Sequence, residues 1–157
     1  MYKLLPIYVH SPYILDICYL LLQCGGLIFS SFENPLRNFL LSLKGNKIKV
    51  IGATKNDELI AFCAFYNFKM ISDKDFSCCM YGGAKRKTSK DLDTLFPYIF
   101  EDLRKQGCKV IRCETRIYNM PMRILAKRLK FRKVGILEKA SFGNGKFVDN
   151  ILYEKEL

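Results

Sequence analysis

Three apolar runs in the middle of the chain are separated only by short polar breaks, and this spacing constrains the fold more than any other feature. Lys47–Thr54, Glu58–Met70 and Phe76–Tyr81 carry the β-branched, aromatic and small apolar residues of strands. Lys55-Asn56-Asp57 and Ser72-Asp73-Lys74 join them as turns. A parallel neighbour needs a crossover of about a dozen residues, so connections this short return the chain antiparallel. The runs predict a consecutive three-stranded meander.

Helical spacing surrounds the meander. Ser11 or Pro12 opens a helix through Leu22 that Gly25-Gly26 ends, with Ile14, Ile17, Cys18 and Leu21 on one face. Asn34-Pro35 caps a second helix, in which Leu36, Phe39, Leu40 and Leu43 recur before Gly45 stops it. Thr88 or Ser89 caps a third, with Asp91 completing a capping-box pattern after Thr88. Leu92, Leu95, Phe96, Ile99 and Leu103 form its core face and Gly107 its end, while Pro97 predicts a kink or a later start. Lys109–Tyr118 reads as a strand, and Asn119-Met120-Pro121 opens a helix to about Lys130. Val134–Phe142 and Lys146–Glu154 then form a hairpin around Gly143-Asn144-Gly145. The order α-α-β-β-β-α-β-α-β-β predicts an α/β (α+β) fold with a mixed, largely antiparallel sheet flanked by helices. With no internal repeat or composition break, residues 1–157 are expected to form a single domain.

The chain is 50% hydrophobic, which excludes disorder and provides a core that needs no disulfide or metal staple. Lys and Arg number 26 against 15 Asp and Glu, a formal net charge of +11 that points to a polyanionic partner. The seven cysteines are odd in number and lie mostly in apolar runs, as Cys63, Cys78 and Cys79 do. They read as buried thiols in a reducing compartment. No C-x-x-C occurs and His10 is the only histidine, which excludes a Cys₂His₂ zinc site within the chain; no metal is expected. The longest charge-free run near the amino terminus, Ile17 to Phe32, is too short for a membrane span and is broken by Gln23 and Gly25-Gly26. Without a basic n-region and cleavage site as well, the expectation is a soluble cytoplasmic protein with no membrane partner.

The carboxy-terminal half carries a resemblance. Residues 114–131 read E-T-R-I-Y-N-M-P-M-R-I-L-A-K-R-L-K-F, followed by R-K-V-G-I-L-E-K-A and G-K-F-V-D-N-I-L-Y. Glu114, Arg116, Asn119, Leu125, Phe131, Gly135, Asp149 and Tyr153 fall at the places that the GNAT (GCN5-related N-acetyltransferase) superfamily uses, so the sequence resembles that superfamily from about Lys47 to its end. The similarity is to the branch of ribosomal-protein N-terminal acetyltransferases. It implies acetyl-CoA as cosubstrate and an amine acceptor, with a pantetheine slot where the fourth and fifth strands splay apart. The exposed strand backbone that pairs with pantetheine would be at Met80, Tyr81 and Gly82. The pyrophosphate would meet the backbone N–H groups of the next loop and helix start. The family's loop pattern, Gln/Arg-x-x-Gly-x-Gly/Ala, aligns with Arg86-Lys87-Thr88-Ser89-Lys90-Asp91. Both small positions are replaced, and Asp91 adds a charge that repels phosphate, while Lys85, Arg86, Lys87 and Lys90 add positive charge. The cluster reads either as a solvated helix start or as a phosphate site.

Acyl transfer to an amine requires removal of a proton. The resemblance implies Glu114, five residues before Asn119, as general base. Alternation places it with Val110, Arg112 and Arg116 on one strand face, where the arginines would hold it ionised; the same pattern also reads as a cross-strand ion pair. Asn119 either hydrogen-bonds pantetheine or caps its helix, and Arg123 joins it among the cofactor-binding candidates. The branch's general-acid Tyr falls at Ala126, leaving Tyr118 and Tyr153 as substitutes. Two other functions stay open. One is a GNAT-like scaffold that has lost its cofactor. The other is a nucleic-acid-binding module using Arg123, Lys127, Arg128, Lys130, Arg132 and Lys133, a stripe without an acid. Either a monomer or a homodimer suits the sequence.

Overall fold

The computed structural model describes residues 1–23, 35–143 and 145–157. Among them are seven strands and four helices: β1 (Tyr2–Ile7), α1 (Ile14–Gln23), α2 (Pro35–Lys44), β2 (Lys49–Lys55), β3 (Glu58–Met70), β4 (Phe76–Ala84), α3 (Ser89–Lys105), β5 (Cys108–Arg116), α4 (Met120–Arg128), β6 (Arg132–Gly143) and β7 (Lys146–Glu156). The strands form one largely antiparallel sheet in the order β1-β2-β3-β4-β5-β7-β6. The expected fold class is the one found, with one added strand. β1 pairs antiparallel with β2, Leu4 opposite Ala53 and Ile7 opposite Val50. Its sequence, YKLLPI, lacks alternation and holds Pro6, which a strand tolerates at a sheet edge where one side needs no ladder bond. Cys24, Gly25-Gly26, Asn34 and Asn144 lie outside the described residues.

The chain divides into two compact units, Met1–Asn67 with Met80–Leu95, and Phe68–Cys79 with Phe96–Leu157. In the first, α1 buries Ile17, Leu20 and Leu21, and α2 buries Phe39 and Leu43, against Val50, Leu59, Phe62 and Tyr81. Leu59 to Phe65 are all buried, as a strand covered on both faces requires. Phe39 meets Phe62 edge-on, and Phe62 meets Tyr81 in the same way, with centroids 6.4 and 6.3 Å apart. The second unit centres on Phe96, Phe100 and Phe131, joined by ring contacts of 5.4 and 5.9 Å. Ile111, Cys113, Ala126, Ile151 and Tyr153 complete that core.

The helix ends depart from the glycine rule in an instructive way. After α2 the left-handed residue is Asn46 (φ 53°), one beyond the expected stop at Gly45. Asn46 N–H donates to Leu43 O and Lys47 N–H to Ser42 O, the paired bonds of a Schellman motif. After α4 the same pair runs from Lys130 N–H to Lys127 O and from Phe131 N–H to Ala126 O, with Lys130 at φ 61°. The helix therefore ends at Leu129, with a lysine in the left-handed conformation that glycine most often takes there. Among the helix ends within the described residues, only that of α3 uses glycine, Gly107 at φ 97°, where a Cβ would lie 2.1 Å from Lys74 O. α3 runs unbroken from Ser89 through Pro97.

Candidate functional site

In the first unit, Met80 and Tyr81 are buried and anchor β4 by their side chains, leaving their backbone as what they offer a ligand. Burial pushes the Tyr81 phenol well above its ordinary range. At Gly82 a Cβ would stand 2.4 Å from Phe62 O, so only glycine allows this approach of β4 to β3. Beyond β4, Lys85 N–H donates to Ile60 O at 2.8 Å and Lys87 takes φ 68°. The Thr88 hydroxyl donates back to Lys85 O at 2.7 Å. The expected Thr88–Asp91 capping box is replaced, because Asp91 turns to other partners. Its carboxylate accepts from the Tyr2 hydroxyl and from Lys55 Nζ at 3.1 Å, and Lys55 sits 5.2 Å over the Tyr2 ring. The Tyr2 bond first, then Lys55, hold the Asp91 carboxyl below the usual carboxylate range. The charge expected to repel phosphate is thus matched by a cation, joining β1, β2 and α3 instead. Arg86, Lys87 and Lys90 are exposed and form no ion pair among the described residues, while Lys85 lies 3.9 Å from Glu58.

In the second unit, β5 presents two unlike faces. Ile111, Cys113 and Thr115 are buried; burial first, then Cys79, pushes the Cys113 thiol up to about 12. Val110, Arg112, Glu114 and Arg116 alternate onto the more open face. The arginines do not hold Glu114. Arg112 Nε donates to Glu154 Oε2 at 2.9 Å, directly across from it on β7, and Arg132 Nη2 reaches Glu154 Oε1 at 3.1 Å. Arg116 donates to the Tyr118 hydroxyl and to Phe142 O, both at 2.9 Å. A cross-strand ion pair exists on this face, and Glu154 rather than Glu114 forms it. The partner of Glu114 is Asn150, whose Nδ2 donates to Glu114 Oε1 at 2.5 Å.

Asn119 caps α4. Its Oδ1 accepts from Met122 N–H at 3.3 Å and its Nδ2 donates to Thr115 Oγ1 at 2.9 Å. Arg123 donates to Ile117 O at 2.9 Å, bracing the turn before the helix. Ala126, where the family branch carries its acid, is wholly buried and supplies none. Tyr118 is exposed in the turn beyond β5, and its hydroxyl accepts from Arg116, which shares a strand face with Glu114. Tyr153 is buried opposite Cys113, on the other face of the sheet, and the fold does not bring it together with Glu114. Sequence reasoning missed Asn150 and Ser141, whose Oγ donates to Asn150 Oδ1 at 2.8 Å. Their only sequence signal is that both are polar residues inside strands. This unit therefore offers a carboxylate with one oxygen held by an amide and a phenol held by a guanidinium.

No three His, Cys, Asp or Glu side chains among the described residues are grouped to hold a metal ion, and none of the described helices is long and apolar enough to cross a membrane. No family model matches the sequence, and no curated protein is significantly similar to it. Solved structures are similar over the full length. An N-acetyltransferase from Staphylococcus aureus superposes with a TM-score of 0.75 at 14% identity, covering 99% of this chain and 97% of its own. Ribosomal-protein-alanine N-acetyltransferase from Brucella melitensis gives 0.74 at 13% identity, with 99% of both chains covered. NAA60 from Arabidopsis thaliana, in complex with acetyl-CoA, gives 0.72 at 17% identity over 100% of this chain and 99% of its own. Strand order, helix placement and these superpositions agree that the chain has the fold of the GNAT acetyltransferases.

Proposed function

We propose that the protein is an acetyl-CoA-dependent N-acetyltransferase of the cytoplasm that acetylates a primary amine of a protein or small molecule. The observation that carries this reading is Glu114: a carboxylate on the open face of β5, five residues before the Asn119 cap, which among the described residues pairs with no arginine and is bonded at a single oxygen. The fold supports it, as do the complexes of NAA60 with acetyl-CoA and with a bisubstrate analogue. Bound acetyl-CoA supplies an activated acetyl thioester. The residues from β4 into α3 suit its phosphates: four exposed cations, Lys87 among them in the left-handed conformation, and an Asp91 already neutralised by Lys55. Its pantetheine arm would pair with backbone at Met80, Tyr81 and Gly82, and its pyrophosphate would take the N–H groups from Arg86 to Ser89, that of Lys85 being already bonded to Ile60 O.

In this reading Glu114 accepts a proton from the amine as the C–N bond forms and the C–S bond breaks. Tyr118, its hydroxyl held by Arg116, returns a proton to the departing thiolate. Asn119 and Arg123 shape the turn beside them. Calorimetric titration with acetyl-CoA, repeated at high salt and with desacetyl CoA, tests the cofactor half. Saturable micromolar binding that survives salt is expected; no binding would favour an inactive scaffold, and loss of binding with salt a polyanion-binding protein. Glu114→Gln is expected to lower kcat by at least about 100-fold with little change in acetyl-CoA affinity. Equal loss of affinity and turnover would count against the role.

A further inference from the structure

We infer that Asn150 is a positioning residue that fixes one oxygen of Glu114 and so selects Oε2 as the atom that takes the proton, with Ser141 fixing Asn150 in turn; this rests on Glu114 being the base. Asn150 is only 6% exposed, so its amide must find partners within the protein. It finds one at each end: Nδ2 donates to Glu114 Oε1 at 2.5 Å, and Oδ1 accepts from Ser141 Oγ at 2.8 Å. An ionised carboxylate only accepts, so the NH₂ end must face it. The reversed amide would set an oxygen against the carboxylate while the Ser141 proton lost its acceptor. The chain Ser141–Asn150–Glu114 therefore has one stable direction, and it leaves Oε2 as the oxygen without a partner among the described residues.

The sheet is bent to make this chain. Leu137 lies opposite Asn150 and Gly135 opposite Leu152, and that register, continued, would put Ser141 opposite Lys146. Instead the register shifts between Leu137 and Ser141, so that Ser141 stands opposite Val148 and becomes the diagonal neighbour of Asn150 on the same face. The bulge that produces the shift holds Lys139 at φ 50°, with Lys139 N–H donating to Asp149 Oδ1 at 2.9 Å. Bulges commonly re-aim a side chain beside an active site. On the other side of β7, Glu114 lies opposite Leu152, which again makes Asn150 its diagonal neighbour. Both contacts of Asn150 thus follow from register. When the amine nitrogen bonds to the acetyl carbon, its N–H proton passes to Oε2, directly or through one water, while Oε1 stays on the Asn150 amide.

Three variants of the full chain test the assignment: Asn150→Asp, Ser141→Ala and Glu114→Gln. Thiol release from acetyl-CoA is followed with a mixture of short peptides bearing different amino-terminal residues, lysine amide and spermidine. Asn150→Asp keeps the shape and the acceptor for Ser141 but removes the donor. It is expected to lower kcat about 100-fold with acetyl-CoA affinity unchanged, the cost of a base set loosely by about an ångström. It also moves the acid limb of the pH–rate profile upward, because two facing carboxylates retain a proton. Ser141→Ala, the variant that least disturbs folding, is expected to lower kcat several-fold without moving the limb. In protein labelled with 15N-asparagine, one Asn150 side-chain proton is expected well downfield, returning upfield in Glu114→Gln. Wild-type kcat and pH profile in Asn150→Asp and in Ser141→Ala, with Glu114→Gln inactive, would overturn the positioning role, as would an Asn150 amide indifferent to Glu114→Gln. Full activity in Glu114→Gln, or wild type that binds acetyl-CoA yet acetylates no amine, would instead overturn the base.

Discussion

Lys130 sits where L residues are rarely found, and replacing it measures how much the end of α4 is strained. Its φ of 61° is imposed by the two closing bonds of the Schellman motif, Lys130 N–H to Lys127 O and Phe131 N–H to Ala126 O. A side chain in the left-handed region costs roughly 1–2 kcal/mol. Glycine removes that cost but gives back about 0.4–1 kcal/mol through the freedom of the unfolded chain. Lys130→Gly should therefore stabilise by about 0.5–1 kcal/mol. With an unfolding entropy of about 2.1 cal/mol/K per residue over 157 residues, roughly 0.33 kcal/mol/K, the melting temperature should rise by about 1.5–3 °C. Lys130→Ala separates backbone from charge. Burial first, then the charge of Lys130, depresses the Lys155 ammonium, so removing the lysine relieves Lys155 in either variant. In wild type the unfolded chain holds the Lys155 proton more tightly than the folded one does. Stability therefore rises with pH between the depressed value and the ordinary 10.5, and both variants should flatten that rise. At neutral pH alanine keeps the strain and should gain less than half of what glycine gains. Asn46→Gly at the end of α2 should gain less as well, since asparagine tolerates this conformation. Urea midpoints by circular dichroism, with unchanged slopes, provide the comparison. A Lys130→Gly protein no more stable than wild type, or an alanine variant matching glycine, would refute the argument from strain.

Other substitutions test other parts of the structure. Gly107→Ala places a Cβ 2.1 Å from Lys74 O at a φ of 97°, and should lower the unfolding free energy by more than about 3 kcal/mol in the same urea assay. Asp91→Asn removes a carboxylate that the Tyr2 bond and then Lys55 hold below its ordinary value of 3.8; the stability it lends is present above that pH and lost as pH falls through the depressed value. The difference between wild type and Asp91→Asn in pH-dependent melts should accordingly vanish in strong acid. Arg86→Gln with Lys87→Gln should weaken acetyl-CoA binding about tenfold and flatten its salt dependence in calorimetry, leaving melting unchanged, since both side chains are exposed and neither is paired among the described residues.

The elements that matched their sequence signals are those whose signals are local. β3 begins at Glu58 and ends at Met70, as its uninterrupted apolar run implies, and α3 presents Leu92, Leu95, Phe96, Ile99 and Leu103 to the core at the spacing one helical face demands. Glu114 falls on the open face of β5 because strand alternation is a local rule. β1 escaped notice because an edge strand containing Pro6 is defined by its neighbour β2 and not by its own pattern. Asp91 looked like a hindrance to phosphate because Tyr2 and Lys55, which neutralise it, come from strands 89 and 36 residues away.

Sequence by itself thus determined the meander, the four helices and the face of β5 that carries Glu114, since each follows from periodicity and caps within one segment. Only the tertiary structure decided what Glu114 touches. Arg112, two residues away, belongs to Glu154, while Asn150, 36 residues away, holds the carboxylate. That choice depends on the register of β7 between β5 and β6 and on a bulge in β6, and register is a property of paired strands that no single strand encodes.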